Sequence, residues 1–252
     1  MGIPDTLATR LIELTKQQNL SGHMLMLGRQ VFHGTRRGAS AKMFAQAIKD
    51  HLPGMTEDDL RNPNDQYAET FFRKLGFSAV DSLDMSDFEN ASIIRDLGKP
   101  IEKDLHETFD VIYDGGTCEH IFDLPTAYRN VDKMLKPGGV FVAHSPGNNW
   151  INHGFYQICP EIVFGFWARA MGYEIITCEL QPLRPHAAEG VVRMSNPLVT
   201  GRRPRLDAAP PGGLPLLLNF AVRKPMESRA RSETVSQSDY AVRWNEAAEA
   251  ED

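Results

Sequence analysis

FDVIYDGGTCEHIFD, residues 109–123, followed by an amphipathic segment and the turn KPGG at 136–139, decides the fold of this 252-residue chain. Phe109 to Tyr113 is a short apolar run, β-branched at Val111 and Ile112, that breaks off at Asp114-Gly115-Gly116. A buried parallel strand ends this way where it meets a ligand crevice. From Leu124 the apolar residues Ala127, Tyr128, Val131, Met134 and Leu135 recur at helical spacing, with Asp123 placed to cap the helix and Pro125 in its first turn. Pro137-Gly138-Gly139 stops the helix, and Val140 to Ala143 reads as the next buried strand. Strand, helix and strand fit within the ~30 residues of a right-handed parallel unit.

Outward from this unit the same alternation continues. Pro4 to Gln18 has the spacing of an amphipathic helix covering one edge, and His23 to Leu27 is a strand running into Gly28-Arg29-Gln30. Helices are expected over 39–51 and 65–75, a strand over 78–83 that ends in Asp84-Met85-Ser86, and another over 92–95 before Asp96-Leu97. A helix at 160–171 and strands at 173–180 and 214–223 complete an α/β layered sheet. The organisation expected is a packing helix at 1–19, one domain at 20–223, and a polar tail at 224–252 that is frayed or docks as a short helix around Tyr240 to Trp244. Within the domain, 182–213 is rich in proline and glycine and reads as a flap, its arginines (184, 193, 202, 203 and 205) outnumbering Glu189 and Asp207.

Composition bounds what the chain does. With 42% hydrophobic and 24% charged residues it has enough apolar side chain for a substantial core. It has no apolar run of membrane-span length, and its amino terminus lacks the apolar core of a signal peptide, so a cytoplasmic location is the expectation. Cys118, Cys159 and Cys178 are odd in number and lack metal-ligand spacing, which fits a reducing compartment and points to no metal. A net charge of −6 disfavours a broad nucleic-acid track, which needs basic residues against phosphate. A small-molecule acceptor is the expected partner, and a homo-oligomer is compatible with the sequence.

Three strand ends carry acids. In a doubly wound sheet, ligands bind outside the strand carboxyl ends where the strand order reverses. Asp84 is placed to accept both hydroxyl protons of a ribose, Asp96 and the Leu97 amide to read an adenine edge, and Asp114 to hold an ammonium. A single such Asp is more often a turn or helix cap; three in series favour the site.

This arrangement resembles class I S-adenosylmethionine-dependent methyltransferases over roughly residues 20–223. The matching segments are AVDSLDMS (79–86), IIRDL (93–97), FDVIYDGGTCEHIFD (109–123) and LKPGGVFV (135–142). It is most similar to a bacterial subgroup whose fifth strand leads into a segment like SPGNNWINHGFYQICPE, here 145–161. The resemblance implies a doubly wound, seven-stranded, mostly parallel sheet with the last strand antiparallel, and S-adenosylmethionine as cofactor. It implies cofactor contacts at Gly28, Arg29, Asp84, Met85, Asp96, Leu97, Asp114, Gly115 and Gly116, and methyl transfer to oxygen or nitrogen of a small polar acceptor. The first loop departs from the family pattern: in MLMLGRQVFHGTRRG (24–38) Met26 takes the usual acid position, Gln30 and Phe32 stand at later glycine positions, and only Gly28 matches.

Methyl transfer needs chiefly positioning, with a base only where the acceptor must lose a proton. His120 and His153 are the catalytic candidates, and a loop-ordering role is the competing reading for His120. Glu119, Asn152, Tyr156 and Gln157 are the candidates for acceptor contact, and His144 reads as structural. Trp150, Phe155, Phe164, Phe166 and Trp167 read as core more than as a ligand wall. Two other functions stay open: a noncatalytic partner that kept the fold, and a nucleotide- or dinucleotide-dependent enzyme using the same crevice, for which GxGxxG is missing.

Overall fold

The structure, a computed structural model, describes residues 2–34, 38–182, 191–204, 214–227 and 234–249. Its elements in chain order are β1 (Gly2–Ile3), α1 (Asp5–Gln17), β2 (Gly22–Leu27), β3 (Val31–Phe32), α2 (Gly38–His51), α3 (Glu69–Leu75), β4 (Phe77–Asp84) and β5 (Ile93–Ile94). Next come β6 (Phe109–Asp114), α4 (Leu124–Met134), β7 (Leu135–Asn148), a wide helix at Ile162–Ala170, β8 (Glu174–Pro182), β9 (Val192–Arg193), α5 (Pro197–Thr200), β10 (Leu216–Arg223) and α6 (Ser238–Glu249).

The main sheet has the order β5-β4-β2-β6-β7-β10-β8-β9. The first five strands pair in parallel, and β10 pairs antiparallel with β7 and with β8. This is the expected doubly wound sheet with its last strand antiparallel. The eighth strand is an addition: Val192 and Arg193 of the flap pair with Leu180 and Glu179 at the edge. The order reverses between β2 and β6, whose ends meet at Leu27 and Asp114, so the ligand crevice of such a sheet falls there.

Strand residues alternate between two cores. Leu25, Leu27, Ile112, Phe141 and Phe220 face α4 and the wide helix, while Met24, Met26, Val111, Tyr113 and Val142 pack with residues of α1, α2 and α3. Helix α4 begins as its sequence dictates, with the Asp123 carboxylate accepting from the Thr126 amide and Pro125 in the first turn. It ends at Met134, and β7 begins at once: Leu135 already pairs with Phe109, so KPGG lies inside the strand. The segment expected as an ordinary helix at 160–171 is wound more widely. The Met171 amide reaches back five residues to the Phe166 carbonyl, a π-type closure that turns Phe164 and Trp167 into the core.

The tail docks. Glu161 accepts from the Ser238 amide and hydroxyl at the start of α6, Arg169 donates to Ser236, and Arg203 pairs with Asp239 at 2.8 Å while lying over the Tyr240 ring. Arg203 of the flap is thereby tied to α6. Arg184, Glu189, Arg205 and Asp207 of the flap lie outside the described residues. No described helix is long and apolar enough to cross a membrane.

Candidate functional site

At the carboxyl ends of β4, β5 and β6 a cavity of about 470 Å³ opens, lined by Asp84, Met85, Asp96, Leu97, Thr117 and His120 among others. It unites five of the expected site residues, drawn from three strand ends. A larger cavity, about 680 Å³, lies around Gly172, Glu174 and Lys224 at the amino end of β8, away from the strand carboxyl ends and from these acids. The smaller one gathers the expected site residues.

Each wall has a local cause. The Asp84 Oδ1 accepts from the Met85 amide at 2.6 Å, which fixes the carboxylate; its Oδ2 lies 3.9 Å from where a β-carbon on Gly28 would sit. Gly28 itself has φ +67°, and a β-carbon there would come within 2.8 Å of the Thr117 hydroxyl, so both backbone and space demand glycine. Asp96 accepts from the Gly98 amide and so shapes the turn that follows β5. Buried Asn130 on α4 pins that turn from behind, donating to the carbonyls of Leu97 and Lys99 and accepting from the Ile101 amide.

Several expected residues are placed differently. Asp114 is fully buried: its Oδ1 accepts from the amides of Gly116 and Thr117 and caps the turn, so it holds the loop rather than a ligand ammonium. Burial raises its pKa, against those amides. Arg29 is also engaged, with Nε 2.7 Å from Glu69, Nη1 donating to the Glu89 carbonyl and the guanidinium 3.8 Å over Tyr67. It is therefore not a free partner for a carboxylate. Gln30 is buried, donates to the Leu27 carbonyl, and blocks any β-carbon on Gly115 at 2.5 Å. It fills the space beside the first loop, and β3 just beyond it pairs with β1. The Tyr156 hydroxyl donates to the Phe122 carbonyl and the Gln157 side chain accepts from the Trp150 amide, so both order their loop instead of facing an acceptor. Asn152 is exposed at the loop's tip and Met85 at the cavity mouth.

Beside the cavity, Glu119, His120 and His153 converge. His153 Nε2 is 3.2 Å and His120 Nε2 3.9 Å from Glu119 Oε1, and the two imidazoles meet edge to face at 4.8 Å. The loop carrying His153 nests on Glu119: the amides of Phe155 and Tyr156 donate to its carbonyl, and Gly154 (φ +65°) approaches so closely that a β-carbon would lie 2.8 Å from that oxygen. Burial lowers the pKa of both histidines, leaving them neutral near pH 7. Buried His144 is pulled down to about 3 and faces the Tyr113 hydroxyl, a structural pairing.

Glu119 has the opposite shift. Burial, and then the nearby Asp114 charge, push its carboxyl up to about 8 from an ordinary 4.5. Between those values the folded chain holds a proton that the unfolded chain has released. Stability therefore falls as pH rises through this window, by up to ~1.4 kcal/mol per pH unit from this group. Glu119→Gln is expected to flatten the decline between pH 5 and 8 and to raise the melting temperature at pH 8. Thermal melts of both proteins across that range, in chelator-containing buffer, test it; parallel curves would show that Glu119 is ionised throughout.

Thr117 and Gly98 were not singled out by sequence, although Thr117 sits inside the decisive stretch. Its hydroxyl donates to the Leu27 carbonyl at 2.7 Å and ties the β6 loop to the end of β2.

No protein-family model matches the chain, and no curated protein matches its sequence. Among solved structures, it is similar to a Burkholderia thailandensis 1,6-didemethyltoxoflavin-N1-methyltransferase bound to 1,6-didemethyltoxoflavin and S-adenosylhomocysteine, at 13% identity and a TM-score of 0.44 over 88% of this chain and 80% of that one. A Mesorhizobium loti S-adenosylmethionine-dependent methyltransferase gives 16% identity and 0.44 over 87% and 98%. The Bradyrhizobium japonicum N-methyltransferase NodS gives 15% and 0.41 over 86% and 94%. Likenesses at these identities and scores assign neither an activity nor an acceptor.

Proposed function

We propose that this chain is an S-adenosylmethionine-dependent methyltransferase acting on oxygen or nitrogen of a small polar acceptor. The observation that carries the reading is the meeting of Asp84, Asp96, Leu97 and His120 around one cavity at the strand carboxyl ends, with Gly28 abutting two of its lining residues, Asp84 and Thr117. The residues fit the group: a carboxylate oxygen of Asp84 aimed over an obligatory glycine suits ribose hydroxyls, and the backbone at Leu97 with Asp96 suits an adenine edge. Backbone at Gly28 and Gly116 is left to approach the remainder. Bound there, the cofactor supplies an electrophilic methyl group.

The protein's own part is to position and to manage a proton. His120 lines the cavity and, neutral, accepts a proton from a hydroxyl or ammonium brought to the mouth, while His153 packs edge to face against it. Glu119 orients His153 from a buried position. Exposed Met85 and Phe122 at the mouth offer apolar surface to exclude water around the acceptor.

One observation favours a second reading. Gln30 fills the first loop where glycine backbone would approach a cofactor, and Arg29 is held by Glu69 and Tyr67, as expected of a noncatalytic partner that kept the fold. Calorimetric titration with S-adenosylmethionine and S-adenosylhomocysteine, against NAD and a nucleotide sugar, decides between them. Micromolar binding of the first pair alone is the expected result; no binding would leave the partner reading, and binding of NAD or the nucleotide sugar would give a nucleotide-dependent enzyme.

A further inference from the structure

We propose that Glu119, His120 and His153 form a site for one divalent transition-metal cation, with zinc, cobalt or ferrous iron as the fitting class. The cysteines lack metal-ligand spacing, and the ligands are instead a carboxylate and two imidazoles brought together from two loops. One donor atom from each of the three residues lies within 4.8 Å of the others. A cation bound tetrahedrally at ~2.0–2.2 Å from oxygen and nitrogen ligands sets neighbouring donors ~3.3–3.6 Å apart. The Glu119 to His153 distance of 3.2 Å is close to that, and the 3.9 Å to His120 needs a small rotation of a side chain that is 47% exposed.

Burial supplies a second, independent reason. The Glu119 side chain has no exposure, and its Oε2 has no hydrogen-bond partner among the described residues. A carboxylate held in this way is costly unless a cation or donor meets it. The His153 and His120 imidazole nitrogens face its other oxygen, at 3.2 and 3.9 Å. The scaffold is also rigid. The His153 amide donates to the Trp150 carbonyl, Trp150 Nε1 donates to the Leu216 carbonyl at 2.8 Å, and the amides of Phe155 and Tyr156 clamp the Glu119 carbonyl. Ligand-bearing loops locked to each other hold a coordination geometry without reorganising.

The donor chemistry selects the ion. Two imidazoles suit zinc and its transition-metal neighbours and disfavour magnesium and calcium, which take oxygen donors. Three protein ligands leave a coordination position open, as in sites where a metal acts on a bound molecule. Because His120 also lines the cavity, that position adjoins it. If the methyl-transfer reading holds, on which this consequence alone rests, the acceptor is an oxygen ligand such as a hydroxyl. The cation would lower its pKa, and the histidines would serve as ligands instead of free bases.

The test uses the full chain after chelator treatment, titrated with Co²⁺ while visible absorption is recorded, then with Zn²⁺ by calorimetry. Expected are one equivalent of each, a cobalt d–d spectrum that Zn²⁺ abolishes, and at least ~30-fold weaker binding in Glu119→Gln and in His153→Ala. Circular dichroism checks that the variants fold, with His153→Gln as the replacement should the alanine variant not. No stoichiometric binding, or undiminished binding in the folded variants, overturns the site. S-adenosylhomocysteine titration of the same samples separates the two readings: cofactor binding without metal binding leaves the methyltransferase standing and removes the metal. Metal binding without cofactor binding does the reverse.

Discussion

Asp84→Ala is expected to weaken S-adenosylhomocysteine binding by about ten- to a hundredfold with the fold intact. The Asp84 Oδ1 is anchored by the Met85 amide, so the group a ligand meets is Oδ2, held over Gly28. Hydrogen bonds to a charged acceptor contribute ~1.5–3 kcal/mol each, and a tenfold change in affinity is ~1.4 kcal/mol. One such bond accounts for the lower bound and a pair for the upper. The side chain is only half-buried at the end of its strand, so its removal should leave the circular-dichroism spectrum and melting temperature close to those of the parent. Calorimetry on both proteins reads the ratio, and an unchanged affinity would place the ribose elsewhere.

Trp167→Ala is expected to cost ~3–5 kcal/mol of stability, the range for deleting a buried aromatic ring. Trp167 has no exposed surface and sits among Tyr128, Phe141, Phe166 and Tyr173, with ring centroids 4.9 to 5.5 Å away. Alanine would leave a void that four rings from three elements and the turn before β8 cannot close together. Trp167→Phe should cost much less, because the indole N–H has no hydrogen-bond partner among the described residues and its loss removes a buried unpaired donor. Urea unfolding of the three proteins checks the order. A loss below ~1.5 kcal/mol for the alanine variant would mean that the wide helix is not packed as described.

These two residues also mark what a sequence can tell. The strands, the acids at their ends and the capped α4 were legible because each rests on neighbours in the chain: an apolar run, a break, a 3.6-residue stripe. Asp84 belongs to that class. The π-type winding around Trp167 was not legible, since a widened turn keeps nearly the same apolar pattern as an ordinary helix. Nor was the fate of Arg29, whose partners Tyr67 and Glu69 lie some 40 residues on and depend on the placement of α3. Asp114 misled for a related reason. An acid after a buried strand satisfies either a ligand or the loop's own amides, and only the turn at Gly116 and Thr117 chooses between them. The meeting of Glu119 with His153 required the loop after β7 to fold back on the loop after β6, a closure of 34 residues that no local pattern records.

The pairing of β1 with β3 steadies the first loop, whose Gly28 abuts Thr117 and Asp84 of the cavity lining, and so sets a still side against a softer one. On the β2 side the amino-terminal residues are stitched to the first loop, Thr117 bolts it to β6, and Arg29 fastens it to α3. On the other side, Met85, Phe88 and Phe122 stand out in solvent on short turns. Opening costs least where the fewest bonds are broken, so if this cavity holds the ligand, entry and exit are expected past those apolar side chains while the opposite rim stays fixed. An added sequence at the amino end would then act on ligand exchange from a distance, by loosening the side that was meant to stand still.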